Sequence, residues 1–186
     1  MNHKAANWIR GMLTAALACA ALTAWAFASA EGLGAFAADT GTYRAGLFSD
    51  VAALSRRSHI PFLASHSGAD AVFSCARNLT DDQLKTLADC GGIVGLDFCA
   101  DFLSDDKRAE GQRAALLAHA AHILKTGGED VLALGSDFDG IPENAYMRSA
   151  ACIPDLLEAF SSAFGERITE KIAAKNAMRL FGEVLH

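Results

Sequence analysis

Pro61-Phe62-Leu63-Ala64-Ser65-His66-Ser67-Gly68-Ala69 is the stretch on which the fold turns. Its first residues are apolar and its last are small or polar. That is the pattern of a buried strand delivering side chains at its C-terminal edge. The pattern recurs downstream. Residues 93–98 are apolar until Asp97, and residues 131–134 run into Gly135-Ser136-Asp137-Phe138-Asp139-Gly140.

Helical signals separate these strands. Residues 45–58 place Leu47, Val51 and Leu54 at helical spacing, with Arg56 and Arg57 where the helix dipole favours cations. Thr80-Asp81-Asp82-Gln83 is an N-cap with a capping-box glutamine, and Gly91-Gly92 ends that helix. A long helix over 105–125 turns Leu116, Leu117, His119, Ile123 and Leu124 inward and stops at Gly127-Gly128. Helices over 154–164 and 166–184 close the chain, the first opened by Pro154. Short apolar strands alternating with helices predict an α/β fold with a parallel sheet. His66, Asp97 and Asp137 all fall just past strand ends, on the face where such folds do chemistry. A full eight-unit barrel takes about 250 residues. A chain of 186 residues is therefore expected to form only a partial (β/α)8 TIM-type barrel, its C-terminal half.

Apolar residues make up 52% and charged residues 20%, a globular composition, and the net charge of −6 with no basic stripe excludes nucleic acid as a partner. Five cysteines form no CxxC pair, and Cys75, Cys90 and Cys99 sit among apolar residues as expected of buried thiols. Residues 1–30 stand apart. Lys4 and Arg10 precede an uncharged run over 11–30 that ends in Ala28-Ser29-Ala30. A cleaved export signal, an uncleaved anchor and a non-targeting artefact all fit this segment. The first places the protein in the periplasm or outside the cell, the second ties it to a membrane, and the third leaves it cytoplasmic. Residues 31–44 read as an irregular linker and 45–186 as the folded part.

Several side chains could carry chemistry. His66, flanked by small residues at a strand end, suits a metal ligand or general base, or a satisfied structural histidine. Arg77 could clamp a carboxylate with its planar fork or lie on the surface beside a helix start. Asp137 and Asp139, two apart, share one face in strand geometry; either could take a proton, hold an ammonium or bind a metal, or merely cap a turn. His119 and His122 share a helical face and are expected to be core or edge histidines, while Asn176 and Arg179 are expected to lock the last helix onto its neighbours.

Taken in series, Phe62-Leu63-Ala64-Ser65-His66-Ser67, Ala76-Arg77-Asn78-Leu79-Thr80-Asp81-Asp82-Gln83-Leu84, Gly91-Gly92-Ile93-Val94-Gly95-Leu96-Asp97-Phe98, Leu134-Gly135-Ser136-Asp137-Phe138-Asp139-Gly140 and Asn176-Ala177-Met178-Arg179 resemble the membrane (renal) dipeptidase family of zinc metallopeptidases. The resemblance runs from about residue 45 to the end. It implies a (β/α)8 barrel with two zinc ions that hydrolyses dipeptides. His66 would be a zinc ligand, Arg77 the clamp on the substrate carboxylate, and Asp137 the group that meets the substrate amine and moves a proton. Two metals would activate a bridging water and polarise the peptide carbonyl.

The departures are as informative. The family's early His-x-Asp, bridging glutamate and preceding strand-end histidine have no counterparts; upstream of His66 stand only His3 and His59, in other contexts. The chain alone is therefore expected to lack a complete metal site and to be inactive. It would act with a complementing N-terminal half or a second copy, or serve as a truncated remnant or small exported binding module.

Overall fold

A computed structural model describes residues 42–185, so the expectations for residues 1–30 and most of the linker lie outside the described residues. In chain order the elements are α1 (Thr42–Ser58), β1 (Leu63–Ser67), α2 (Asp81–Asp89), β2 (Ile93–Leu96), the short α3 (Ala100–Leu103), α4 (Ala109–Gly127) and β3 (Leu132–Leu134). After a 3-10 turn at Ala150–Cys152 come α5 (Ile153–Phe164), α6 (Glu166–Glu170) and α7 (Asn176–Val184). The predicted helix over 166–184 is interrupted by a π-helical turn at Lys171–Lys175. No described helix is long and apolar enough to cross a membrane.

The three strands form one parallel sheet in the order β1-β2-β3, as expected of an α/β chain. β2 is central and buried throughout. Among the described residues β1 pairs with β2 alone, and Leu63 stays 41% exposed, so the expectation of a buried strand over 61–64 is not met there. The apolar side of α1 is likewise uncovered. Leu47 and Leu54 are exposed, and Ala52 and Ser55 turn inward instead.

Alternation along the strands puts apolar clusters on both faces of the sheet. Val94, Leu96 and Leu132 join the main core with Leu84 and Leu87 of α2, Leu116 and Ile123 of α4 and Phe160 of α5. Ile93 and Ala133 instead pack on Ala177, Leu180 and Phe181 of α7. Polar anchors fix that last helix where the strands begin. Asn176 Nδ2 donates to the Glu129 and Leu132 carbonyls at 2.9 and 2.8 Å. Arg179 donates to the Gly91 carbonyl at 2.9 Å and the Asp130 carbonyl at 3.1 Å. Both residues lock the helix, as their sequence context suggested.

The Thr80–Gln83 capping box forms at the start of α2. His119 is fully buried, its Nδ1 accepting from the Ala69 N–H at 2.9 Å and its Nε2 donating to the Leu103 carbonyl at 3.0 Å. His122 sits at an edge with Nε2 2.7 Å from Asp81. Neither is free to ligate. Cys99 is buried, whereas Cys75 and Cys90 are half-buried; all the described cysteines are free.

Two glycines let the strands converge. A Cβ on Gly95 would fall on the Ser65 carbonyl oxygen, and one on Gly135 would strike the same oxygen and the Gly95 carbonyl. Gly182, exposed in α7, has nothing near its Cβ position. Denaturant melts should thus show Gly95→Ala losing about 1–3 kcal/mol or more, as overpacking against backbone does. Gly182→Ala should gain about 0.5–1 kcal/mol from helix propensity. A neutral Gly95→Ala would disprove the convergence.

His119 yields a pH test. Burial holds its pKa below the ordinary 6.5, and its Nδ1 must stay unprotonated to accept the Ala69 N–H. The folded pKa is depressed, so this stabilisation is complete above 6.5 and declines as pH falls below it. His119→Gln should cost about 1–3 kcal/mol at neutral pH and flatten the loss of stability between pH ~7 and ~5. An unchanged pH slope would refute that origin.

Candidate active site at the strand ends

The C-terminal ends of the three strands bring His66, Arg77, Asp97 and Asp137 into one neighbourhood, each on the segment that follows or ends a strand. His66 lies in β1, whose pairing with β2 is interrupted between Ala64 and Ser67. Its Nδ1 makes a short hydrogen bond with the Gly135 carbonyl at the end of β3. A carbonyl only accepts, so Nδ1 carries the proton and Nε2 keeps a free lone pair. This is the arrangement by which backbone carbonyls orient metal-binding imidazoles.

Arg77 lies in the loop between β1 and α2. Next to it, Asn78 is buried and fully used. Its Oδ1 accepts from the Gly68 N–H at 2.7 Å, and its Nδ2 donates to the Phe73 and Phe102 carbonyls at 2.7 and 2.8 Å. The loop is therefore tied to both β1 and α3. The Arg77 guanidinium lies over the Phe102 ring, 5.8 Å from its centroid.

Asp97 follows β2 and is fully buried. Its Oδ1 accepts from the Cys99 N–H at 2.8 Å, while Oδ2 is 4.0 Å from Arg77 Nε. Burial pushes its carboxyl pKa up; the Cys99 N–H opposes this, Asp137 adds to it, and His66 and Arg77 pull it back.

Asp137 adopts φ +62°, a left-handed conformation that aspartate tolerates better than most residues. The Gly140 N–H donates to its carbonyl at 2.9 Å, closing a turn, and a Cβ on Gly140 would collide with its carboxylate. Strand geometry ends at Leu134, so Asp137 and Asp139 do not share the strand face expected of them: Asp137 is half-buried and Asp139 exposed. Asn144 anchors the rest of this loop. It is buried, donates to the Phe98 carbonyl at 2.8 Å and to Gln112 Oε1 at 3.0 Å, and accepts from the N–H groups of Tyr146 and Met147.

A cleft of about 440 Å³ opens beside this region, lined by Cys99, Asp101, Lys107, Glu143 and Arg148 among others, but not by His66, Arg77 or Asp137. Among the described residues no group of three or more His, Cys, Asp or Glu side chains is gathered to hold a metal ion. Sequence placed Asp97 at the same strand-end face as His66 and Asp137 but gave it no partner, and the Asn78 and Asn144 anchors carried no signal of their own. Asp97 breaking an otherwise apolar strand was the one signal available for it.

Residues 44–186 match the membrane dipeptidase family, peptidase family M19. An uncharacterized protein in the pqqA 5′ region of Klebsiella pneumoniae is 35% identical over 127 residues, covering 67% of this chain and 47% of its own length. Dipeptidase ataJ of Aspergillus terreus is 31% identical over 131 residues, 68% of this chain and 32% of that protein. Among solved structures, dipeptidase AC, a metallopeptidase of family M19, superposes with TM-score 0.66 at 36% identity, over 73% of this chain and 40% of the other. A metallopeptidase from Rhodobacter sphaeroides liganded with a phosphinate mimic of the dipeptide L-Ala-D-Ala gives TM-score 0.65 at 34% identity, over 74% and 39%. The chain spans less than half the length of each of these relatives. A match over residues 44–186, together with a parallel α/β sheet shared with solved members, establishes that this chain belongs to the membrane dipeptidase family, peptidase family M19.

Proposed function

We propose that the described strand–helix units are the C-terminal portion of a (β/α)8 barrel that hydrolyses dipeptides, and that they do not hydrolyse them unaided. The observation that carries this reading is the His66 ring, held through Nδ1 by Gly135 with Nε2 left to bind a metal. Arg77 is the clamp for a substrate carboxylate. Asp137, half-buried in its strained turn, receives the substrate ammonium and holds or moves a proton. An arginine and an acid set apart in this way would read the two charged ends of a dipeptide and so select for length. The phosphinate dipeptide mimic bound by the Rhodobacter relative makes a short peptide the natural substrate class to test.

Zinc is the family's metal, and it takes three or four protein or water donors in a closed or open tetrahedron. His66 offers one. The other described carboxylates do not assemble around it, so the described residues do not fit a dinuclear centre. A complementing polypeptide would have to supply the remaining donors, since a second copy brings the same incomplete set.

The uncovered face of β1 and α1 is the natural place for such a partner. Leu47, Leu54, Ile60 and Leu63 are exposed on α1, β1 and the segment between them, and among the described residues β1 pairs with β2 alone. The same face would drive self-association of the isolated chain. In light scattering after gel filtration, the chain should run larger than a monomer, and a Leu47→Lys/Leu54→Lys double variant should shift it toward one. A monodisperse monomer with a single cooperative melt would oppose this part of the proposal.

Metal analysis of the purified chain should find well under one zinc per chain, with no turnover of L-Ala-D-Ala above background. His66→Ala should then change little. Near-stoichiometric binding of two zinc ions with robust hydrolysis, abolished by His66→Ala, would overturn the claim that these residues do not suffice.

A further inference from the structure

We infer that Asp97 is a positioning residue for Arg77, turning one edge of the guanidinium inward so that the other is presented to a ligand carboxylate. The inference rests on the reading of Arg77 as that clamp. Asp97 is immobilised. It is fully buried, Leu96 and Phe98 on either side of it are fully buried, and Oδ1 is already committed to the Cys99 N–H. Its other oxygen, Oδ2, is buried and has no hydrogen-bond partner. Arg77 Nε is also buried and without one. These two complementary atoms face each other at 4.0 Å. A displacement of about 1 Å would turn the contact into a charge-assisted hydrogen bond. Leaving both unpaired is costly, and neither atom has a hydrogen-bond partner among the described residues.

The surroundings restrict the guanidinium to that orientation. Phe102 supports one face of its plane, and the Asn78 hydrogen bonds fix the backbone next to it. Arginine carries its N–H donors on a rigid planar fork. With the edge that carries Nε directed at Asp97, the end-on edge formed by the two terminal nitrogens is left for a ligand. The side chain is 33% exposed, so its outer end reaches solvent. A neutral residue at position 97 would leave the guanidinium free to rotate on the ring. A carboxylate there sets its direction.

The test uses the full chain labelled with nitrogen-15. Arg77→Lys deletes the Arg77 Nε–H resonance and so assigns it. That proton should exchange with water roughly tenfold or more slowly than those of the exposed Arg56 and Arg57. Asp97→Asn should abolish the protection while the backbone amide spectrum stays folded. Absence of protection in the native chain would by itself overturn the inference, even if Asp97→Asn does not fold. Binding is then followed with L-Ala-D-Ala and with its C-terminal amide, which lacks the carboxylate. Asp97→Asn should weaken the free acid by about fivefold or more and leave the amide unchanged. Equal losses for both probes would reduce Asp97 to a general structural role, and tighter binding of the acid would make it a competitor; either defeats the inference. If Arg77→Lys leaves the preference for acid over amide intact, the clamp reading fails instead, separately from the exchange result.

Discussion

The close passage of β1 and β3 over Gly95 is the constraint from which the site follows. With side chains at 95 or 135, the Ser65 carbonyl would be displaced and the strand ends would part. Without them, the end of β3 comes near enough for the Gly135 carbonyl to meet the His66 ring. One backbone oxygen then determines which imidazole nitrogen holds the proton and which stays basic. The glycines in Val94-Gly95-Leu96 and Leu134-Gly135-Ser136 are thus part of the chemistry without touching any ligand. They set tautomer and direction through packing.

The two ends of the sheet are built differently. Where the strands begin, Asn176 and Arg179 satisfy backbone carbonyls at Gly91, Glu129, Asp130 and Leu132, and a small apolar cluster seals α7 onto Ile93 and Ala133. Most side-chain polarity there is spent on closing hydrogen bonds, although Arg179 Nε is buried without a partner. Where the strands end, polar atoms are left over: His66 Nε2 is not used in the contact with Gly135, and Asp97 Oδ2 and Arg77 Nε have no partner. More closed hydrogen bonds at one end and more open polar atoms at the other is the division expected of parallel α/β folds, whose loops follow the C-terminal strand ends.

Much of this was legible in sequence, for local reasons. The capping box at Thr80 and Gln83, the glycine stops, and the switch from apolar run to polar tip at residues 63–67, 93–97 and 132–137 are encoded by neighbours along the chain. What sequence misjudged depends on neighbours across space. Leu47, Val51 and Leu54 have the spacing of an inward stripe, yet Leu47 and Leu54 are exposed and Ala52 and Ser55 of the same helix are the buried ones. Asp137 and Asp139 diverge because the chain leaves strand geometry after Leu134 and turns left-handed at Asp137. Asp97 was legible as a polar residue at a strand end, but its partner was not. Its importance lies in a facing arginine 20 positions away, joined to it only by the fold.

Coordination chemistry limits what such a site can do alone. A single neutral imidazole is a modest ligand; tight zinc binding needs several donors at fixed geometry, each desolvated in advance by the fold. The buried carboxylate nearest the site, Asp97, is turned toward Arg77, and one of its oxygens is already held by a backbone N–H. Using Oδ2 for a metal would turn a buried carboxylate oxygen away from the guanidinium 4.0 Å from it. The local electrostatics therefore favour Asp97 as a partner for Arg77 over Asp97 as a ligand. His66 is left with one imidazole nitrogen that the Gly135 carbonyl does not occupy.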